Sequence, residues 1–376
     1  MVKSSGKKLN ISVPEGIASL TPYPPGKPIE ELERELGIEG SIKLASNENP
    51  LGPSRKAVEA ISGALGSLNR YPDGSCYYLK QKLSERLGVA PEMIIPGNGS
   101  NEVIELIIRT FLRPGDEVLM GDPSFAVYPL VVQAAGGEAV RVDLKGLTID
   151  LQAMAERLVD KTRVVFISNP NNPTGTIVTS SELDRFMEAV PDETIVCIDE
   201  AYYEYVTSPE FPDALKYIRE GRPVVLLRTF SKIYGLAGLR IGYGVARPDI
   251  VDYMDRVRQP FNVNSLAMGA ALAALDDAEH VESSRENNAT GLAYLFEEIE
   301  KLGCECVPTE ANFFLVKVGD GEDDGGAVYD GLLKKGVIVR PMKGYGLGRY
   351  IRVTVGLPEE NRRFVEAFKQ VTECRV

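Results

Sequence analysis

The chain carries one histidine, His280, among its 376 residues. Zinc sites built on two or three imidazoles are therefore excluded, as are di-iron sites with paired histidines. His280 stands in the acidic run DDAEHVESS and reads as solvated surface. Acid–base chemistry must come from lysine, tyrosine or carboxylates. Cysteine is scarce too. Cys76, Cys197, Cys304, Cys306 and Cys374 are odd in number and irregularly spaced. That usage fits a reduced, cytosolic protein, and Cys304-x-Cys306 is not a C-x-x-C pair. Positive charge is in deficit. Lys plus Arg total 42 against 54 for Asp plus Glu, a formal charge of -12. Nucleic-acid binding would need a basic face, so none is expected. No long apolar run occurs. The most apolar stretch, 266–275, is about half the length needed to cross a bilayer. The first ten residues, MVKSSGKKLN, are polar and lack the apolar core of a leader peptide.

What is present is the composition of a soluble globular protein, 44% apolar and 26% charged. The length fits two domains or one large one, and needs no disulfide or metal to hold a core. Residues 1–45 are rich in Pro, Gly and charge and read as an extended arm with a short helix at 28–36. Residues 54–65, 76–87 and 101–111 read as helices, the last with Val103, Ile104, Ile107, Ile108 and Phe111 on one stripe. Short runs of β-branched residues follow at 117–120, 139–142, 164–168, 195–199, 224–228 and 240–245. Several are almost wholly apolar, which suits strands buried on both faces. Helical stretches such as 151–158 and 181–190 separate some of them. This alternation predicts an α/β fold with a mostly parallel sheet. Beyond about residue 260 the pattern changes to helices at 266–275 and 281–302, strands at 313–318, 337–340 and 350–355, and a last helix at 359–371. That is a smaller α+β unit. The acidic run 319–326 fails the EF-hand spacing and reads as solvated loop.

Chemistry gathers at three predicted strand ends. Residues 164–168 run into NPNNPTG, 195–198 into Asp199-Glu200-Ala201-Tyr202, and 224–228 into Thr229-Phe230-Ser231-Lys232. Ligands of open α/β sheets bind beyond the carboxyl ends of the strands. Taken singly, NPNNPTG is a turn, Asp199 a helix cap and Lys232 a surface lysine. Together they place a lysine at the sheet edge, where desolvation lowers its pKa and makes it nucleophilic toward carbonyls. Upstream, Pro96-Gly97-Asn98-Gly99-Ser100-Asn101 leads into a helix and offers backbone N–H groups and a positive dipole end to a phosphate. It is neither a Walker loop nor a dinucleotide fingerprint. The run Gly344-x-Gly346-x-Gly348 reads as a loop.

These residues carry a family resemblance. Ser231-Lys232-Ile233-Tyr234-Gly235-Leu236-Ala237-Gly238-Leu239-Arg240 resembles the pyridoxal-phosphate lysine signature of the class I/II aminotransferases, and NPNNPTG, Asp199-Glu200-Ala201-Tyr202 and the Gly99-Ser100-Asn101 turn fall in the family's order. The resemblance narrows to histidinol-phosphate aminotransferases through LTPY at 20–23, LASNENP at 44–50, RYPDG at 70–74, PFNVNS at 260–265, VRP at 339–341 and YIRVT at 350–354. It spans residues 20 to 355.

The resemblance implies fold type I: an α/β large domain with a mostly parallel seven-stranded sheet between helices, and a smaller α+β C-terminal domain. An arm and small-domain segment would occupy 1–45, the large cofactor domain 46–262 and the small domain 263–376. It implies that Lys232 bonds pyridoxal 5'-phosphate and moves the substrate's Cα proton. Asp199 would face the pyridine nitrogen. Asn172 and Tyr202 would bond the ring's phenolic oxygen. Phe125 would stack on the ring, where many relatives carry Tyr. Gly99, Ser100, Asn101, Ser231 and Arg240 would hold the cofactor phosphate, with Tyr71 reaching in from a second subunit of a homodimer. Asn101 stands where many relatives have Asp. Arg352 would clamp a carboxylate and Arg340 with Tyr23 a substrate phosphate, roles that suit a bidentate guanidinium. Asn47 would line the substrate entrance. No metal is implied. The implied reaction is transamination of L-histidinol phosphate with 2-oxoglutarate to imidazole acetol phosphate and glutamate, a step of histidine biosynthesis. An aromatic amino-acid aminotransferase and a phosphate-substrate decarboxylase share the scaffold and stay open. A cofactor-binding transcription regulator is disfavoured by the acidity and by a motif set that starts at residue 20.

Overall fold

The computed structural model describes residues 11–373. Cys374 and the polar segment 1–10 lie outside the described residues. Strand β1 (Ile42–Lys43) belongs to the C-terminal part of the molecule. The large sheet is built from β2 (Ile94–Gly97), β3 (Glu117–Asp122), β4 (Glu138–Asp143), β5 (Thr162–Ser168), β6 (Ile195–Asp199), β7 (Val224–Thr229) and β8 (Gly242–Ala246). Their order is β2-β8-β7-β6-β5-β3-β4, seven strands as expected. Only β8 runs against its neighbours; the other pairings are parallel.

The central strands are buried along their whole length, and their side chains alternate between two cores. Val165, Ile167, Val196, Ile198, Val224 and Leu226 face one core, while Val164, Phe166, Ile195, Cys197, Val225 and Leu227 face the other. This period of two is what a strand covered on both faces requires. Helices Arg55–Ala64, Tyr77–Leu87 and Ser180–Ala189 cover the first face, and Ser100–Phe111, Val127–Ala134 and Pro248–Val257 the second. The carboxyl ends of β5, β6 and β7 therefore open side by side on one edge.

The second unit is a four-stranded sheet of β9 (Glu305–Cys306), β10 (Phe313–Lys317), β12 (Arg340–Pro341) and β13 (Tyr350–Thr354), all antiparallel. Between them in the chain, β11 (Val337–Ile338) pairs in parallel with β1. Phe364 and Phe368 of helix Pro358–Glu373 pack into its core with Leu295 and Ile299. The arm joins this unit: Leu44 enters the same core, and Leu32 of helix Ile29–Leu36 packs on Ala45 and Ile338.

Four local features depart from the sequence expectation. The Gly-rich segment before Ser100 contains β2, a short edge strand able to accommodate Pro96. Strand β8 starts at Gly242, leaving Arg240 in the preceding turn with φ 57°. Helix Asp324–Leu333 begins inside the acidic run read as loop. Helix Ser265–Leu275, grouped by sequence with the C-terminal unit, buries Ala267, Ala270, Ala271 and Ala274 in the large-sheet core. The passage between cores falls within helix Ala278–Lys301, whose Val281 joins the large core and Leu295 the small one. Among the described residues no helix is long and apolar enough to cross a membrane.

Candidate active site

Asp199 is the last residue of β6, level with Ser168 at the end of β5. It is buried, and its Oδ2 accepts a hydrogen bond from the Tyr128 hydroxyl at 2.8 Å. Its Oδ1 is buried with no partner among the described residues. Burial pushes the carboxyl up to about 6, against the pull of the Tyr128 hydroxyl, the Ala201 N–H and the Lys232 charge. Tyr128 was not anticipated from sequence. It is fully buried on helix Val127–Ala134 and stacks on Phe166 with ring centroids 4.4 Å apart. Burial, then the Asp199 charge, hold its phenol far above the usual value, so it stays a donor. It lies three residues after Phe125, whose carbonyl accepts from the Tyr128 N–H. Phe125 meets the Tyr128 ring edge-on at 5.5 Å.

Lys232 follows β7 in a tight turn. Its amine donates to the Ser46 carbonyl at 3.3 Å and stands 5.4 Å from the centre of the Tyr202 ring. Burial, then repulsion by Arg352, lower its pKa to about 8. Tyr202 is buried against Phe313, and its hydroxyl accepts from Asn47 Nδ2 at 2.9 Å. Burial raises the phenol to about 12, opposed by Arg352 and the Asn47 bond. Arg352, on β13, donates from Nη1 to Asn172 Oδ1 at 2.6 Å and from Nη2 to the Ala45 carbonyl at 2.8 Å. Its Nε is buried without a partner among the described residues. Burial is also the chief cause that lowers its pKa. Lys232, Asp199, Tyr202, Asn172 and Arg352 thus converge, the first four from the large unit and the last from the small one.

A second group forms at the start of helix Ser100–Phe111. Gly99 has φ 79°, and a Cβ there would come within 2.5 Å of Arg240 Nη2. A Cβ on Gly242 would meet the Ser100 backbone nitrogen at 2.5 Å. Arg240 also donates to Ser231 Oγ at 3.3 Å. Gly99, Ser100, Ser231 and Arg240 are therefore gathered at a positive helix end, with Asn101 in its first turn. That is a cradle for a phosphate. Tyr71 is not brought to it within the chain. It is 84% exposed and stacks on Phe261 at 4.9 Å.

Arg340 donates to the Pro24 carbonyl at 3.0 Å, and its guanidinium lies 5.5 Å from the Tyr23 ring centre. Both line a cavity of about 470 Å³ with Lys27, Tyr329 and Tyr345. Tyr345 also borders a cavity of about 400 Å³ that reaches Phe125. Asn47 differs from its expected place: it is buried beneath Tyr202 and Thr354 instead of at an entrance. His280 differs as well. It is half-buried, 3.5 Å from Asn49 Nδ2, and burial lowers its pKa.

Comparison with known proteins gives the family. Residues 39–368 match the family model for aminotransferase class I and II. The chain is 50% identical to a histidinol-phosphate aminotransferase of Moorella thermoacetica, over 95% of this chain and 92% of that protein. It is 51% identical to histidinol-phosphate aminotransferase 1 of Nitrosococcus oceani, over 95% and 96% respectively. The crystal structure of histidinol-phosphate aminotransferase from Sinorhizobium meliloti in complex with pyridoxal-5'-phosphate superimposes with a TM-score of 0.90 at 27% identity, covering 99% of this chain and 100% of that one.

Proposed function

The chain belongs to the class I and II aminotransferases, and from that premise we propose that it moves the amino group of histidinol phosphate to 2-oxoglutarate, forming imidazole acetol phosphate and glutamate. Its cofactor is pyridoxal phosphate. The residues present fit that group. Asp199 Oδ1 is a buried acceptor without a partner among the described residues, Lys232 with its depressed pKa acts on the same carboxylate, and the Gly99–Arg240 cradle suits a phosphate.

When bound, pyridoxal phosphate supplies an aldehyde carbon and a protonated ring that draws electrons from the substrate's Cα. Lys232, lowered to about 8 by burial and so partly neutral near that pH, would hold that carbon and would carry the substrate's Cα proton, first as base and then as acid. Asp199, held in place by the Tyr128 hydroxyl, would keep the ring nitrogen protonated. Asn172 and Tyr202 would hold the phenolic oxygen, and Phe125 would pack on the ring. The Gly99-Ser100-Asn101 turn, Ser231 and Arg240 bind the cofactor phosphate. Arg352 takes the carboxylate of glutamate, and Arg340 with Tyr23 the phosphate of histidinol phosphate. The exposed ring of Tyr71 reaches the partner's site in a cytosolic homodimer.

The observation that carries the substrate choice is the second arginine. Arg340 and Arg352 are cross-strand neighbours, and Arg352 reaches the site from there. A coupled assay tests the reading: glutamate must form from 2-oxoglutarate only when histidinol phosphate is supplied.

A further inference from the structure

Asn47 adopts a left-handed backbone with φ 56° while 1% exposed. Asn tolerates that conformation better than most residues, but glycine fits it with less strain. The side chain is therefore there for its contacts. Its Nδ2 donates to the Tyr202 hydroxyl at 2.9 Å. Its Oδ1 accepts from Thr354 Oγ1 at 3.1 Å, and its backbone N–H donates to the same Oγ1 at 3.0 Å. Its carbonyl accepts from Asn312 Nδ2 at 3.2 Å.

The neighbours of Asn47 extend this link in both directions. Thr354 is two residues beyond Arg352 on β13, so the two share a face of the strand. The Thr354 N–H donates to the Leu44 carbonyl, and Arg352 donates to the Ala45 carbonyl. On the other side, Ser46 takes the Lys232 amine. Residues 44–47 thus tie the strand of the substrate arginine to the lysine and the tyrosine.

We propose that Asn47 is a positioning residue that aims the Tyr202 hydroxyl proton at the cofactor's phenolic oxygen and couples it, through Thr354, to the Arg352 strand. The inference rests on the reading that Tyr202 meets that oxygen. An amide N–H cannot accept, so a hydroxyl that accepts from it must send its own proton elsewhere. Accepting a bond also makes the hydroxyl a stronger donor. Donation to the phenolic oxygen withdraws charge that would otherwise retain a proton on the Lys232 nitrogen, and so lowers that nitrogen's pKa. The other charged or titratable groups facing Tyr202 are Arg352, Asp199, Tyr23, Lys232, Tyr205 and Tyr345.

The test is the pH midpoint of the visible absorbance of cofactor-loaded protein. Asn47→Gly keeps the left-handed backbone and removes the amide. Asn47→Asp keeps the acceptor for Thr354 and removes the donor to Tyr202. Both variants should raise the midpoint by roughly half to one pH unit. Tyr202→Phe should raise it too, and adding Asn47→Gly to Tyr202→Phe should change nothing more. An unmoved midpoint in Asn47→Gly, with Tyr202→Phe shifted, would reduce Asn47 to a structural role and overturn the inference. So would additive shifts in the double variant, since Asn47 would then act by another route. An unmoved midpoint in Tyr202→Phe would instead remove the reading of Tyr202, and the inference with it.

Discussion

Arg340 and Arg352 stand directly opposite each other across the antiparallel pair of β12 and β13. Their side chains leave the same face, and like charges so placed destabilise the pair. Repulsion from Arg340 is one cause of the lowered Arg352 pKa. Each guanidinium rests on a backbone carbonyl, Pro24 for Arg340 and Ala45 for Arg352. A doubly charged anion relieves the repulsion, so inorganic phosphate should raise the melting temperature. Arg340→Ala should abolish that rise. It should also cut kcat/KM for histidinol phosphate about 10- to 100-fold while leaving phenylalanine within about threefold. Equal losses for both substrates would remove the phosphate role.

Tyr128→Phe removes the hydroxyl that holds Asp199 Oδ2, leaving the Ala201 N–H as the remaining donor to a buried carboxylate whose Oδ1 has no partner among the described residues. The Asp199 pKa should rise further and cofactor affinity should fall about tenfold or more. Equilibrium dialysis of pyridoxal phosphate checks it. In protein prepared without cofactor, the raised Asp199 pKa has a stability consequence. The folded state binds more protons than the unfolded one between the ordinary 3.8 and about 6. Stability is therefore lost as pH rises through that window. Asp199→Asn should flatten this slope in urea titrations.

Lys232 has the opposite sign. Its folded pKa lies near 8 against the ordinary 10.5, so the unfolded chain binds more protons between these values. Its contribution to stability improves as pH rises from about 8 to about 10.5. The same shift governs reactivity, since only the neutral amine attacks a carbonyl. Uptake of pyridoxal phosphate, followed by stopped-flow absorbance, should speed up as pH rises and level off above about 8. Lys232→Ala should show neither the visible band nor turnover.

Glu200 and Arg228 form a buried ion pair behind the site, with Arg228 Nε and Nη2 both on Glu200 Oε2 at 3.0 and 2.8 Å. Burial raises Glu200 to about 7 despite the arginine. Arg228 also lies 3.4 Å over the Tyr203 ring. Arg228→Met strands the carboxyl and should cost about 3–5 kcal/mol in urea unfolding, whereas Glu200→Met/Arg228→Met should recover much of it.

The residues that were legible in the sequence are those fixed by local pattern. Lys232, Asp199 and Asn172 follow apolar strands that can only be central, and the strand ends place them together. Residues set by distant pairing were not legible. The burial of Asn47 depends on Thr354, 307 positions away, and that of His280 on Asn49, 231 positions away. Tyr128 was hidden in an apolar helix, where a buried tyrosine looks like any core aromatic until its hydroxyl is seen on Asp199. The four residues of β2 carry Pro96 and Gly97, which suppress a strand signal that pairing with β8 supplies.

The most direct measurement is the single half-reaction on purified, cofactor-loaded protein. Histidinol phosphate and phenylalanine are mixed with it separately, and the change in cofactor absorbance is followed as rate per concentration. The account predicts a large preference for histidinol phosphate. A preference for phenylalanine, or no change with either, would contradict it.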